Sequence, residues 1–227
     1  MGNFTMSVGD YTGPLMLQTS GGTYTDEATG SMMSMMSGDV MYVCVPSFAA
    51  GSALNGVQIT PLTSMASALA RSMTGGMTGA NITAANNAVG AYFMVGDIMF
   101  TPPMDPTVAG SGASATQVMK NYGMTLAAMS QYAKTIGMMT SSSGIVTAMM
   151  EDASDGVMDG KMGSTSISMS GMGGMMGGGM MQATAGTSGL TTAMSAFIGS
   201  AMNKSGVQAT DMQPLMDKLA ASNGQIL

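Results

Sequence analysis

Asn55-Gly-Val-Gln-Ile-Thr-Pro-Leu-Thr-Ser-Met-Ala-Ser-Ala-Leu-Ala-Arg-Ser-Met73 contains the point at which this chain changes its hydrophobic period. Up to Thr60 apolar residues alternate with polar ones, as on a strand; beyond it they recur in steps of three and four, as on a helix. Asn55-Gly56 reads as a turn and residues 57–60 as a short strand. Thr60 then supplies a cap oxygen, and Pro61 fits the first helical turn, where no amide hydrogen is needed. Leu62, Met65, Ala66, Leu69 and Met73 form one stripe, which Gly75-Gly76 ends. The change of period makes the chain α+β: a small N-terminal antiparallel β-domain followed by an α-helical domain.

Upstream, residues 14–18 and 40–45 read as strands, and residues 21–27 as a hairpin region. Phe4, Met6 and Val8 alternate with polar residues on a further strand that begins close to residue 1 and carries no charge. Such a strand suits addition to a sheet edge of its own or of a neighbouring subunit. Cys44, the single cysteine, lies in an apolar run and reads as a buried strand residue, so no internal disulfide exists.

Downstream, Thr78 opens a second helix with Ile82, Ala85, Val89 and Phe93 on one face. A proline-containing loop covers residues 96–106. The third helix runs from Ser114 with the stripe Ala115, Val118, Met119, Tyr122, Leu126, Met129, Ala133 and Ile136. A shorter helix is expected over residues 145–153. Two more carry Leu190, Met194, Phe197, Ile198 and Met202, then Met212, Leu215, Met216 and Leu219. The last is expected to start at Thr210, with Gln213 as its capping-box partner. The predicted division is a β-domain over 1–60, a helical domain over 61–154, a Met/Gly-rich insert over 155–186, and a C-terminal helical pair over 187–227 packing on the helical domain.

Methionine occurs 33 times in 227 residues, leucine ten times and histidine not at all. Only 8% of residues are charged, against about 25% in an ordinary soluble domain. Little charge repulsion therefore keeps copies apart, and a homo-oligomer is expected. Six scattered bases under a net charge of −6 leave no patch for phosphates, which argues against nucleic acid. No run of apolar residues is long enough for a transmembrane segment. No leader is recognisable in the chain, yet its Ser/Thr/Gly-rich, Lys-poor composition suits an extracellular or cell-surface location.

Several stretches carry a resemblance. Gly21-Gly-Thr-Tyr-Thr-Asp-Glu-Ala-Thr-Gly30, Ile59-Thr-Pro-Leu-Thr-Ser-Met-Ala66, Ala80-Asn-Ile-Thr-Ala-Ala-Asn-Asn87 and Asn121-Tyr-Gly-Met-Thr-Leu-Ala-Ala-Met-Ser-Gln131 are among them. Over roughly residues 3–160 the chain resembles modules of exported bacterial surface proteins and lipoproteins. The resemblance implies export and a β-then-α order, and no particular chemistry. The chain departs from it by placing methionine where leucine is usual, as at Met65, Met124, Met129 and Met158.

The absence of histidine removes the commonest general base and metal ligand. No glycine-rich loop leads into Lys-Ser/Thr, and any Ser or Cys nucleophile lacks a histidine base, so no enzyme and no small-molecule substrate are expected. Thioether clusters select Cu(I) or Ag(I). The candidate ligands are Met169, Met172, Met175, Met176, Met180 and Met181, with a second group at Met32, Met33, Met35 and Met36 and a weaker pair at Met73 and Met77. Methionines on helical stripes, such as Met65, Met119, Met194 and Met212, read as core instead. Glu151, Asp152, Asp155 and Asp159 form an acidic run whose spacing departs from a Ca²⁺ loop, so it reads as a solvated turn.

The chain is accordingly expected to be a non-enzymatic, exported structural protein that self-assembles into a filament or surface layer through strand addition and methionine-rich contacts. The alternative is a Cu(I)/Ag(I)-binding or storage protein. A polymer-binding adhesion module is a third reading, weakened by a chain with six Tyr, five Phe and no Trp.

Overall fold

Thr60 caps helix α1 (Pro61–Ser72) as its sequence predicts, and the same few residues dock the sheet. The Thr60 hydroxyl accepts the Thr63 amide, and the Thr63 hydroxyl accepts the Thr60 amide at 2.8 Å, a reciprocal pair that satisfies two orphan donors. The Thr60 hydroxyl also meets the Tyr122 hydroxyl at 2.5 Å, tying the start of α1 to the third helix. This computed structural model describes residues 2–138, 142–169 and 179–227.

Strand β1 (Gly13–Ser20) pairs antiparallel with β4 (Val40–Phe48), Leu15 opposite Val45 and Leu17 opposite Val43. Between them β2 (Thr23–Thr25) and β3 (Met32–Ser34) form a small hairpin. Then come α1, α2 (Gly79–Tyr92), α3 (Gln117–Thr135) and α4 (Ser143–Asp152), a two-residue-stranded hairpin of β5 (Lys161–Met162) and β6 (Thr165–Ser166), and α5 (Ser188–Ile198) with α6 (Ala209–Ala221). The architecture is α+β, with the N-terminal strands preceding the helices.

One hydrophobic core joins all six helices and takes in Cys44 from β4. Methionine occupies many of its innermost positions: Met65, Met124, Met149, Met194 and Met212 are fully buried. An unbranched, flexible thioether fills the irregular spaces between crossing helices that leucine fills elsewhere. Two helical glycines let loop backbone approach their helices closely. A Cβ on Gly90 would stand 1.9 Å from the Gly96 carbonyl oxygen, and one on Gly123 would stand 1.9 Å from that of Met104.

Several expectations are corrected. Residues 3–8, expected as a strand through Phe4, Met6 and Val8, adopt no regular secondary structure, and no described strand pairs with them. Residues 57–60 form no strand; Gln58 is instead tied to the Met99 carbonyl at 2.8 Å. Helix α3 begins after the Thr116 cap, which leaves Ala115 outside it and Val118 exposed. Helix α5 stops at Ile198, so Met202 lies beyond its end. Helix α6 is capped by Gln208 rather than Thr210, and Asp211 rather than Gln213 returns the bond, its carboxylate accepting the Gln208 amide at 2.8 Å. A carboxylate is the stronger acceptor for an orphan amide, and the Gln213 side chain donates to Asp217 instead.

Candidate functional site

Three of the expected metal-binding methionines, Met172, Met175 and Met176, lie outside the described residues. Their flanks form an antiparallel bridge, Ser168 opposite Met180. Met169 and Met181 on either side of that bridge are buried in the core, whereas Met180 is 61% exposed. In the other cluster β3 sends Met32 to solvent and Met33 inward, so these two neighbours face opposite ways. The Met33 sulfur lies 3.9 Å from the Tyr24 hydroxyl and 4.0 Å from that of Ser142. Met35 and Met36 are half-buried. Among the described residues no group of three or more His, Cys, Asp or Glu side chains is placed to hold a metal ion.

The acidic run after α4 turns out to organise backbone. Asp152 is wholly buried, and its Oδ1 accepts the amides of Asp159, Gly160 and Lys161 at 3.0, 2.7 and 3.1 Å. Asp155 accepts the amides of Val157 and Gly163, and Asp159 that of Lys161. The chain's last residues close onto the same loop, where Ile226 donates to Gly156 O and Met158 donates to Gly224 O. The Oδ2 of Asp152 and the hydroxyl of Tyr132 are buried and have no hydrogen-bond partner among the described residues. Burial pushes the Asp152 carboxyl up to about 7; the three amides pull it back, and Asp159 adds to the rise. Burial, Ser222 pulling the other way and the nearby Asp152 charge leave the Tyr92 phenol at about 12. This carboxylate was visible in the sequence only as part of a charge run; its role depends on a loop returning seven to nine residues later.

A second group of carboxylates has no local signature in the sequence. Asp26, Glu27 and Asp39, from the N-terminal strand region, are each met by a serine from α3, α4 or the residue preceding α4. The Ser142 hydroxyl donates to Asp26 at 2.6 Å, that of Ser130 to Glu27 at 2.5 Å, and that of Ser143 to Asp39. Thr147 also donates to Asp39, and the Lys134 ammonium to the Ala28 carbonyl. Burial raises the Glu27 carboxyl; the Ser130 hydroxyl opposes this, and Asp26 and Asp105 reinforce it. These bonds fasten the β2–β3 hairpin to the helices. The stretch of residues 21–30, which reads as a hairpin region and carries part of the resemblance, supplies two of the three acids.

The sheet has two unlike edges. On β4 the outer edge is closed by helix side chains: Ser64 accepts the Tyr42 amide at 2.8 Å, Thr63 donates to the Tyr42 carbonyl at 2.7 Å, and Asn86 donates to the Cys44 carbonyl at 3.2 Å. On β1, no backbone group of residues 15–20 is bonded to any described residue other than those of β4. Residues 2–8 likewise make no hydrogen bond to another described residue, and Phe4 and Met6 are 50% and 60% exposed.

Two shallow depressions of about 180 and 230 Å³ lie near Asn86 and Met99, and between α5 and α6. Both are smaller than the roughly 300–1,000 Å³ usual for a small-molecule site. Among the described residues no helix is long and apolar enough to cross a membrane. No protein-family model, no curated protein and no solved structure matches the chain.

Proposed function

We propose that this is a non-enzymatic structural protein, exported to a cell surface, whose copies assemble by strand addition. The observation that carries the reading is residues 3–8. They alternate apolar and polar, hold no charge, expose Phe4 and Met6, and leave their backbone unbonded to any other described residue. An extended segment in that condition gains a full row of backbone bonds by joining another sheet. The weakly charged surface adds little repulsion between copies. One donor segment per copy, used head to tail, builds an open chain of subunits unless the rotation closes a ring. Light scattering of the purified protein over a concentration series tests this: the mass should rise with concentration, and a constant monomer mass would end the proposal.

A second reading, Cu(I) or Ag(I) holding by the methionine-rich segment, is favoured by Met180, whose thioether is exposed where that segment begins and ends its bridge. Competition against a Cu(I) chelator checks it. Uptake that disappears when Met169, Met172, Met175 and Met176 become leucine would support the reading, and no uptake by the native chain would remove it.

A further inference from the structure

We infer that β1 is the edge that receives the added strand, and that its occupant is residues 3–8 of a second copy, with Met6 opposite Leu17. The inference rests on the strand-addition reading and specifies its partner and register.

The two-stranded sheet offers only one edge to a newcomer. Ser64, Thr63 and Asn86 occupy backbone groups of Tyr42 and Cys44 along β4, whereas residues 15–20 of β1 have unbonded groups facing away from β4. Edge strands are commonly protected by charge or by a covering element. Residues 13–20 contain no charged residue. The Arg71 guanidinium lies over the Tyr42 ring and donates to the Met16 sulfur at 3.5 Å, against the face of the sheet rather than along its edge.

Side-chain alternation then sets the register. Leu15 and Leu17 are half-buried and continue the row of the fully covered Val43 and Val45 opposite them, while Met16 and Gln18 are exposed. A donor whose apolar row is Phe4, Met6 and Val8 extends the Leu15–Leu17 row and leaves Thr5 and Ser7 beside Met16 and Gln18. A slip of one residue would reverse both rows. Residues 3–8 and 15–20 are equal in length, and full antiparallel overlap places Met6 opposite Leu17; parallel addition keeps that pair with residues 3–8 set against 14–19. Antiparallel addition then puts Thr5 beside Gln18; parallel addition puts Thr5 beside Met16.

The partner is a second copy because the segment forms no ladder with its own β1. The linker bends at Gly9, whose φ is +62°, and the Tyr11 hydroxyl donates to the Pro14 carbonyl at 2.8 Å. That bond lays the Tyr11 ring against Gly13 at the start of β1.

Disulfide trapping between differently labelled chains tests the assignment. A Thr5→Cys chain is mixed with a Gln18→Cys chain, and separately with a Met16→Cys chain, under mild oxidation by oxidised glutathione. All three positions are exposed, and the native Cys44 is buried. A disulfide-linked heterodimer in one mixture is expected, lost when the donor also carries Met6→Asp, and reduced by excess peptide spanning residues 2–9. If the protein assembles but neither mixture cross-links and the peptide does not compete, the β1 assignment is overturned while assembly stands. If every chain stays monomeric at all concentrations, the assembly reading falls with it.

Discussion

The hydroxyl of Ser64 accepts the amide hydrogen of Tyr42 at 2.8 Å, and this contact decides which side of the sheet is closed. It comes from the second turn of a helix whose first turn is fixed by Thr60 and Pro61. The helix start therefore does two things: it begins α1, and it lays α1's polar edge along β4. Replacing Ser64 with Ala leaves the Tyr42 amide without its partner at a part-buried position. A loss of about 1–3 kcal/mol in unfolding free energy is expected, read by urea titration. An unchanged midpoint would mean that water replaces the hydroxyl at no cost and that β4's edge is not closed in this way.

How much of this was legible in the sequence depended on how local each feature is. The Thr60 and Thr78 caps, the α3 stripe from Tyr122 to Ala133 and the β1 and β4 strands are set by neighbours within a few residues, and they stand where the sequence puts them. The α6 cap was misplaced by two residues because Thr210 and Gln208 both offer a side-chain acceptor, and only the geometry of Asp211 selects between them. The serine–carboxylate contacts join residues about a hundred positions apart, so no local pattern announces them. Residues 3–8 carry a clean strand pattern, yet pattern alone cannot supply the partner edge that a strand requires.

Asp152 should make stability depend on pH. Its carboxyl is raised from 3.8 to about 7 in the fold, chiefly by burial, so the protonated form is favoured there more than in the unfolded chain. The stabilisation is fully present below the unfolded value, declines as pH rises from about 4 to about 7, and is gone above that. Asp152→Asn keeps an oxygen for the three amides and cannot ionise. The wild-type minus variant difference in unfolding free energy should therefore fall by up to about 4 kcal/mol between pH 4 and pH 8. A difference independent of pH would contradict the account.

Gly123 should tolerate no side chain. Alanine there would bring Cβ to 1.9 Å from the Met104 backbone oxygen, and neither backbone can retreat without separating α3 from the preceding loop. A destabilisation of about 3 kcal/mol is expected for Gly123→Ala, seen as a lower thermal midpoint. The exposed Gly163, whose φ of +61° lies in open space, provides a comparison in which alanine meets only backbone strain.

Peroxide should distinguish the two populations of methionine. Met6, Met32 and Met180 are exposed, whereas Met65, Met124, Met149 and Met194 are fully buried. Peptide mass mapping after brief treatment should show sulfoxide first at the exposed positions, and at the buried ones only once the fold opens. Equal rates at Met32 and Met124 would argue against methionine as packed core.

The central claim is that thioether-rich, weakly charged copies of this chain join through residues 3–8. Sedimentation velocity of the wild type beside Met6→Asp, over a matched concentration series, tests it most directly. The wild type should shift to larger species as concentration rises. Met6→Asp should remain a single small species with the same thermal midpoint, since the altered residue makes no hydrogen bond to the described fold. A wild type that sediments as a monomer throughout, or a Met6→Asp chain that assembles equally well, would contradict the account.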